Sequence, residues 1–573
     1  MLACSAMVAC TNDDVLENPV DNPVNGQEAN TAYVSVKLVM TTEGGSRATT
    51  DGGYDVGTPA EQKIDGTKSI FLFYDENGKW VTSGTVATSE PATENSGTDH
   101  SDKVNDLSDA AYIVLSGPDQ ELKKSTQVLT VVNYHNCNSL KQLDKDEVLE
   151  IITKSTENKP EEGFLMSTSV YYNEGIVNTT AIDGTTQICA TQEKALANPV
   201  KIYIERASAK VEAIYNASYE VEGDGEDEDE TTGESNDTEG GDMIVDGTQM
   251  EAKVAITGWR INGVNEDTYL VKRIQEAWGT EATQPFTGWN FSNNFRSYWA
   301  EGTKYGLKVG ETGLTYYSYN EATGTSATPQ YCYEQTVSNQ LTGVGQSLIT
   351  DPNQTTILIK AEIQLPDEDG NYATAGNLYK YGGVFYTEDN YKTLIMKQLQ
   401  GKYYTKSESS SENENGETIT TTTEADLTTD DITLSIASDG TSLAGIAYSV
   451  AIAEGVTVYT KNENAEEEVE AGDIEEYINA LAYVTEVEGY ANGKCYYHIP
   501  IEHLSSVDGT PYYGVVRNHW YKLNISAVKH IGSPIYNPDK DINVIPEKDT
   551  TFYLAAELHV LSWHVVNQDV TLE

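Results

Sequence analysis

Apolar residues occupy every second position of residues 32–40, namely Val34, Val36, Leu38 and Met40. Ser35 and Lys37 lie between them. Because successive side chains of a strand point to opposite faces, this spacing is typical of a strand that is buried on one face and solvated on the other. The alternation therefore predicts a half-buried first strand.

Similar strand patterns recur along the chain, at 68–74, 127–133, 200–215, 251–261, 355–365, 378–387, 495–501, 512–531 and 551–573. Asn77-Gly78, directly after the strand at 68–74, is a strong hairpin signal. Residues 139–154 have the apolar spacing of an amphipathic helix, and no other segment has it as clearly. Many short strands with turn signals predict a mainly β fold, with two β-sandwich-like domains of Greek-key type in series and few helices.

Three acidic stretches interrupt the strand pattern. Residues 221–242 hold eleven carboxylates and no Lys or Arg, so mutual repulsion favours a solvated loop or linker. Calcium binding is the alternative, but the stretch lacks the spacing of an EF-hand loop. Residues 407–426 and 461–473 are predicted to be long solvated hairpin insertions.

Composition and charge exclude several classes of protein. The chain has 573 residues, with 90 acidic against 36 basic side chains and a formal charge of −54. Nucleic-acid binding and electrostatic attachment to anionic lipid both require clustered cations, so both are excluded. Tyrosine outnumbers phenylalanine by 37 to 8, which suits half-exposed strands because the phenol has a polar edge.

Motifs of enzymes and cofactor sites are absent from the sequence. It contains no HExxH, GxSxG, Walker A or GxGxxG, so we predict no catalytic residues, no metal site and no cofactor, and a protein that is not an enzyme. His498, His503 and His519 are interpreted as turn or surface residues. Cys137, Cys189, Cys332 and Cys495 show no CxxC spacing, and they are either buried thiols or one disulfide in each half.

The first ten residues, MLACSAMVAC, are apolar or small and are followed by a polar, acidic segment. This resembles the end of a lipoprotein signal peptide whose start lies upstream, and Cys10 is then the residue that carries the palmitate-type lipid. Cys4 is less suitable because the polar segment begins directly after Cys10. The alternative is a disordered terminus with two unrelated cysteines.

Three segments occur in an informative order: residues 204–211 (IERASAKV), 515–525 (VVRNHWYKLNI) and 557–563 (ELHVLSW). They resemble strand motifs of the fimbrillins, in particular of minor-fimbrium stalk subunits among the type V pilins. The resemblance implies a structural protein exported to the outer membrane as a lipoprotein. It also implies that an arginine-specific protease removes the leader with the first strand, and that a strand of another subunit fills the groove.

The distribution of arginine agrees with such a cleavage. Arg47 is the only arginine among the first 205 residues, and it lies in a Gly/Ser/Thr-rich segment directly after the first strand. Exposed segments of small residues are preferred sites of proteolysis, so we predict cleavage between Arg47 and Ala48. The alternative is an unrelated surface arginine. Most of the remaining arginines, which are Arg206, Arg260, Arg273, Arg296 and Arg517, lie in strand-like or aromatic surroundings.

The carboxyl end is the candidate donor strand. Its apolar anchors are Val560, Trp563, Val565, Val570 and Leu572. Residues 551–563 are expected to be the last strand of their own domain, which leaves 564–573 as the exchangeable piece. The predicted parts are a leader with the removable strand (1–47), an N-terminal β-domain (48–218), an acidic linker (219–250), a C-terminal β-domain (251–540) and the C-terminal strand region (541–573).

These interpretations predict a subunit of a bacterial surface fimbria that is assembled by donor-strand exchange and supports adhesion. Its partners would be copies of itself or other fimbrial subunits, the protease during maturation, and the outer membrane through the lipid of the precursor. The alternative is a monomeric surface lipoprotein that binds polysaccharide on aromatic side chains, the candidates being Trp278, Trp289, Trp299, Tyr316, Tyr317 and Tyr319.

Overall fold

A computed structural model describes residues 31–40, 54–55, 57–85, 105–106, 111–154, 161, 163–191, 194–195, 197–222, 242–276, 290–291, 296–297, 299–305, 313–336, 354–436, 448–462, 465–469, 471–505, 511–542 and 563–572. The fold is mainly β, as predicted. No helix in these ranges has the length and apolar content to cross a membrane.

The N-terminal sheet has nine strands: β1 (Thr31–Met40), β3 (Ile70–Tyr74), β4 (Trp80–Gly84), β5 (Asn105–Asp106), β6 (Ala111–Ser116), β7 (Gln127–Val132), β9 (Met166–Thr168), β12 (Thr180–Ala181) and β13 (Val200–Arg206). Their order is β4-β3-β7-β9-β13-β1, with β5 and β6 on the far side of β1 and β12 beside β7. A Cβ added at Gly84 of β4 would overlap Cγ2 of Ile113 of β6. The sheet therefore curls until β4 contacts β6.

Both faces of this sheet are covered at β3 and β7. Every residue of β3 and all but the first residue of β7 are buried, as is typical of strands that pack on both sides. Phe71 and Phe73 belong to one apolar cluster, whereas Ile70 and Leu72 belong to another. The even and odd residues of the strand thus enter two separate cores.

Two further sheets form the C-terminal sandwich. The first has the order β2 (Tyr54–Asp55), β40 (Trp563–Leu572), β38 (His519–Val528), β14 (Ser208–Ile214) and β22 (Gln330–Tyr333). The second has the order β15 (Ser218–Glu220), β18 (Lys253–Asn262), β24 (Thr356–Pro366), β35 (Lys494–Pro500) and β39 (Ser533–Pro534), with β25 (Tyr372–Thr374) beside β24. Val211 and Leu523 of the first sheet share one core with Ile357 and Ile359 of the second, as in a β-sandwich.

Smaller sheets surround the sandwich. They contain β17 (Thr248–Glu251), β16 (Asp242–Val245), β27 (Val384–Thr387), β26 (Leu378–Tyr381) and β34 (Glu488–Tyr490); β23 (Gln335–Thr336), β37 (Pro511–Val515) and β36 (Glu502–Ser505); β29 (Thr418–Asp426), β28 (Tyr403–Glu412), β32 (Tyr459–Asn462) and β33 (Ala465–Glu468). Two-stranded ladders pair β8 (Ile152–Lys154) with β19 (Asp267–Tyr269), β10 (Tyr171–Tyr172) with β11 (Ile176–Val177), β20 (Asn290–Phe291) with β21 (Arg296–Ser297), and β30 (Ile432–Ile436) with β31 (Tyr448–Ile452).

The helices differ from the prediction. Residues 139–154 contain a short helix at Lys145–Leu149 and then strand β8, so the long amphipathic helix predicted there is wrong. Ile152 of β8 pairs with Tyr269 of β19, a contact that the local apolar spacing does not reveal. The longest described helix is Glu388–Leu399, and other helices span Asp119–Leu122, Ala471–Asn479 and Ala482–Thr485.

Three hairpin loops have the same pattern of side-chain to backbone hydrogen bonds. Asp75, Asp367 and Asn413 each accept backbone hydrogen bonds from the residues two and four positions later. The glycine three positions later has a positive φ in every case, 75° at Gly78 for example. Such a φ is strained for other residues, so the loop sequence selects the turn.

The acidic insertions are described in part. β28 and β29 form an exposed hairpin over 407–426, as predicted. β32 and β33 form a hairpin over 459–468, which overlaps the hairpin predicted at 461–473, but residues 471–473 begin the helix Ala471–Asn479. Residues 223–241 lie outside the described part of the chain. β13 and β14 follow each other along the chain but belong to different sheets. The domain boundaries given above stay predictions.

Candidate functional site

Strand β1 is an interior strand of the N-terminal sheet. One edge pairs in parallel with β13, from Val36 opposite Val200 to Met40 opposite Ile204. The other edge pairs antiparallel with β6, over Thr31–Val36, and with β5 at Val39 and Met40. Removal of β1 would leave two rows of unpaired backbone groups, which is the arrangement that accepts an added strand.

The β1 slot, defined as the space that β1 fills between β13 and β6, is apolar. Ala32, Val34 and Val36 are buried in one cluster with Phe71, Phe73, Ile113, Leu115, Val200 and Ile202. An emptied slot would therefore expose a contiguous apolar surface, which soluble proteins rarely leave uncovered.

Ser35 corrects one prediction. It lies on the face opposite Val34 and Val36, yet its exposed fraction is also 0%. The centre of β1 is therefore buried on both faces and is not half-buried. Leu38 and Met40 have their backbones in the ladder with β13, opposite Ile202 and Ile204.

The C-terminal strand β40 lies in a sheet of its own chain. It runs parallel to β38, from His564 opposite His519 to Leu572 opposite Val528. On its other side it pairs with β2, where Tyr54 lies opposite His564.

The spacing of the predicted donor anchors in β40 limits how they can be used. Val565 and Val570 are five positions apart, and because strand side chains alternate, one strand cannot present both to the same groove. Trp563 and Val565 are two positions apart, and so are Val570 and Leu572, so each of these pairs follows the strand repeat. Any single groove could therefore receive only one of these two pairs.

Several predicted site residues lie outside the described part of the chain, namely Cys10, Arg47, Ala48, Val560, Trp278 and Trp289.

Other arginines are poor protease sites. Arg206 and Arg517 are fully buried. The guanidinium of Arg260 stacks 3.4 Å from the ring centre of Tyr317. Arg273 is partly exposed, and it forms ion pairs with Glu150 and Glu301.

A buried ionic cluster lies beside the point where the chain passes from β13 to β14. Lys272 Nζ lies 2.8 Å from Glu205 Oε2, and Arg517 Nη2 lies 2.6 Å from Glu334 Oε1. All four side chains are at most 1% exposed. We call these four residues the junction cluster. Arg517 also donates to Thr268 Oγ1 and to the carbonyl of Tyr269, so one guanidinium joins several segments.

The segments 204–211 and 515–525, which carry two of the strand motifs identified in the sequence, meet beside this cluster. Asn518 donates its backbone N–H to the carbonyl of Ser208, and its Oδ1 accepts from Arg206. Asn518 has φ +61°, a conformation that asparagine adopts more readily than most residues. The sequence predicted both strands but not their contact, because the segments lie more than 300 positions apart.

A second ion pair holds the segment before β3 against the sandwich. Glu61 Oε1 lies 2.9 Å from Lys210 Nζ and accepts from the hydroxyl of Tyr331. Burial opposes ionisation of Glu61, but Lys210 and Tyr331 outweigh it, so the pKa of this carboxyl is lowered. Burial lowers the pKa of the Lys272 ammonium despite its partner Glu205.

The histidine interpretation is wrong. His498, His503 and His519 are buried rather than on the surface. The Nδ1 of His503 is 2.7 Å from the hydroxyl of Tyr521, and the ring of His503 meets that of His519 edge to face. Burial lowers the pKa of His498 to about 4. Among the described residues, no group of three or more His, Cys, Asp or Glu side chains could hold a metal ion.

The burial of His498 predicts a pH effect on stability. The unfolded chain binds a proton near pH 6.5, but the folded chain binds it only near pH 4, so acid favours unfolding between these values. We expect this group to lower the free energy of unfolding by about 3 kcal/mol from pH 7 to pH 4. Urea unfolding of wild type and His498→Gln at both pH values measures it. Equal losses in the two proteins would contradict the prediction.

The aromatic residues proposed to bind polysaccharide are partly inaccessible. Trp299 and Tyr319 are fully buried, so sugars cannot stack on their rings. Tyr316 and Tyr317 are partly exposed. Cys137, Cys189, Cys332 and Cys495 are free thiols, three of them buried and Cys189 partly exposed.

Comparison with known proteins gives one sequence match. Residues 488–569 match a family model described as major fimbrial subunit protein type IV, fimbrillin, C-terminal. The matched range includes the 515–525 segment, strand β38 and the first part of β40. No curated protein matches the chain.

Solved structures give low-identity likenesses. A candidate cell adhesion protein from Bacteroides eggerthii is 14% identical, with 61% of this chain and 80% of that chain covered and a TM-score of 0.24. A fimbrial assembly protein from Parabacteroides distasonis is 12% identical, with 61% and 100% covered and a TM-score of 0.24. The tip fimbrial protein Mfa3 from Porphyromonas gingivalis, with a C-terminal truncation, is 12% identical, with 69% and 100% covered and a TM-score of 0.21. At these TM-scores no conclusion is drawn from the likenesses.

Proposed function

We propose, from the match of residues 488–569 to the C-terminal fimbrillin model, that the chain is a fimbrillin and a structural subunit of a bacterial surface fimbria. Its role is to build the filament and support adhesion. It binds other fimbrial subunits or copies of itself, and it performs no catalysis.

The proposed precursor is a lipoprotein of the outer membrane. Cys10 carries the lipid, and an arginine-specific protease cuts between Arg47 and Ala48. The cut releases β1, and a strand of another subunit then fills the β1 slot. The observation that carries this proposal is the interior position of β1, which has hydrogen-bonded neighbours on both edges and buried aliphatic side chains.

The proposed donor is the carboxyl end of a neighbouring subunit, with anchors among Val560, Trp563, Val565, Val570 and Leu572. Because β40 pairs with β38 and β2 within its own chain, donation requires β40 to leave these partners first. The exchange then replaces one ladder of backbone hydrogen bonds by another, so its net driving force comes from the apolar contacts of the slot.

Arg47→Ala tests the maturation step. We expect the variant to keep β1 and to form no filaments, whereas wild-type filaments begin at Ala48. N-terminal sequencing and electron microscopy of the surface protein measure both outcomes. Arg273→Ala is the matched control, because it removes an accessible arginine elsewhere and should mature normally. Wild-type filaments that still carry residues 32–47 would contradict the proposal.

A further inference from the structure

Ser35 places one buried, unpaired hydroxyl in the otherwise apolar centre of β1. It lies opposite Tyr112 in the ladder with β6, between two fully buried valines. Its exposed fraction is 0%, and its hydroxyl has no hydrogen-bond partner among the described residues. A hydroxyl that loses water without gaining a partner destabilises the state in which it is buried.

The unpaired hydroxyl belongs to β1 itself, so it leaves with β1 and is absent from the strands that remain after cleavage. Val34 and Val36 pack into the apolar cluster on one face, and Ser35 is enclosed on the other. A strand that replaces β1 in the same register must therefore have a small residue at this position. Alanine would fit the space and would bring no unpaired hydroxyl, whereas a charged residue would be buried without a partner.

We propose that the enclosed space at the Ser35 position makes the slot prefer a strand with a small apolar residue at that register. The preferred strand comes from another fimbrial subunit and carries alanine at the Ser35 register, between small aliphatic residues at the registers of Val34 and Val36. The serine of β1 makes β1 the weaker occupant, so its replacement is favourable. This inference rests on the proposed strand exchange.

Peptide competition tests the preference. Full-length chain is cut with an arginine-specific protease, and mass spectrometry confirms the cut after Arg47. Two ten-residue peptides then compete for the slot, one with the sequence of residues 31–40 (TAYVSVKLVM) and one with Ser35→Ala, and native mass spectrometry measures the bound ratio. We expect the alanine peptide to be favoured about tenfold, equivalent to about 1.4 kcal/mol at 25 °C. A Val34→Ala peptide should bind more weakly than both, because it loses packing.

Variants of the chain give an independent measurement. Ser35→Ala in the chain should slow the release of its own β1 about tenfold after cleavage. Ser167→Ala on β9 is the matched control, because that hydroxyl is also buried without a partner but lies outside β1. It should leave the ratio of the two peptides unchanged.

The outcomes separate the two hypotheses. If peptides enter the slot but the alanine and serine peptides bind equally, or serine is favoured, the role of Ser35 is wrong and strand exchange stands. If no peptide enters, including the one with the sequence of β1, strand removal is wrong and the inference falls with it.

Discussion

Replacement of Arg517 by methionine is expected to lower the free energy of unfolding by about 3–5 kcal/mol. The change removes the cation that is 2.6 Å from Glu334 Oε1 and leaves this carboxylate buried without its partner. It also removes the donors to Thr268 and Tyr269. Because folded proteins are only about 5–15 kcal/mol more stable than their unfolded chains, the loss is a large part of the total. Urea unfolding measures it.

Two further variants separate the buried pair from a general charge effect. Lys79→Met removes a cation from a pair with Asp144 at the surface, and we expect no measurable loss there because solvent screens such pairs. Glu334→Leu added to Arg517→Met should recover much of the stability, because no unpaired charge remains buried. A loss in Arg517→Met no larger than in Lys79→Met would show that the junction cluster does not stabilise the fold.

Deletion of residues 564–573 is expected to abolish polymerisation and to leave a folded monomer that is still cleaved after Arg47. The segment supplies most of the proposed donor strand, and each aliphatic side chain that it buries in a groove contributes roughly 1.5–3 kcal/mol before ordering costs. Circular dichroism tests folding, N-terminal sequencing tests cleavage, and electron microscopy tests filament formation.

Asn567→Ala is the control for this deletion, since it changes a polar residue of β40 and should leave filaments intact. Two results would contradict the prediction. Normal filaments from the truncated chain would remove the donor role from the C-terminus. An aggregated product would show that the ladder between β40 and β38 belongs to the core of the subunit.

Residue patterns alone were sufficient for the strands that cross a core. The alternation around Val34 and the apolar run of β7 predicted strands close to their observed places, because burial on a pleated sheet imposes a period of two wherever it occurs. The exposed hairpin of β28 and β29 was predictable for a related reason. From Thr405 to Glu424 its side chains are polar except for the exposed Ile419, so they offer little to bury, and a turn sequence with Gly416 closes it.

Tertiary structure decided the features that depend on distant partners. Residues 139–154 have helical spacing, but pairing with β19 makes part of them a strand. The alternation places Ser35 on the solvated face of its strand, yet its side chain is fully buried. His498 pairs with Leu358 of β24 and His503 contacts Trp299, so their burial also depends on segments that lie far along the chain.

The ion pair between Arg517 and Glu334 in the junction cluster is another feature that tertiary structure decided. Arg517 and Glu334 lie 183 positions apart, and neither has a local pattern that marks a buried ion pair. The sequence by itself determined the strands that cross a core, because their alternation depends on neighbours two positions away. Tertiary structure alone decided which strand lies beside which, and so which polar groups are buried, because burial depends on segments brought together from the whole chain.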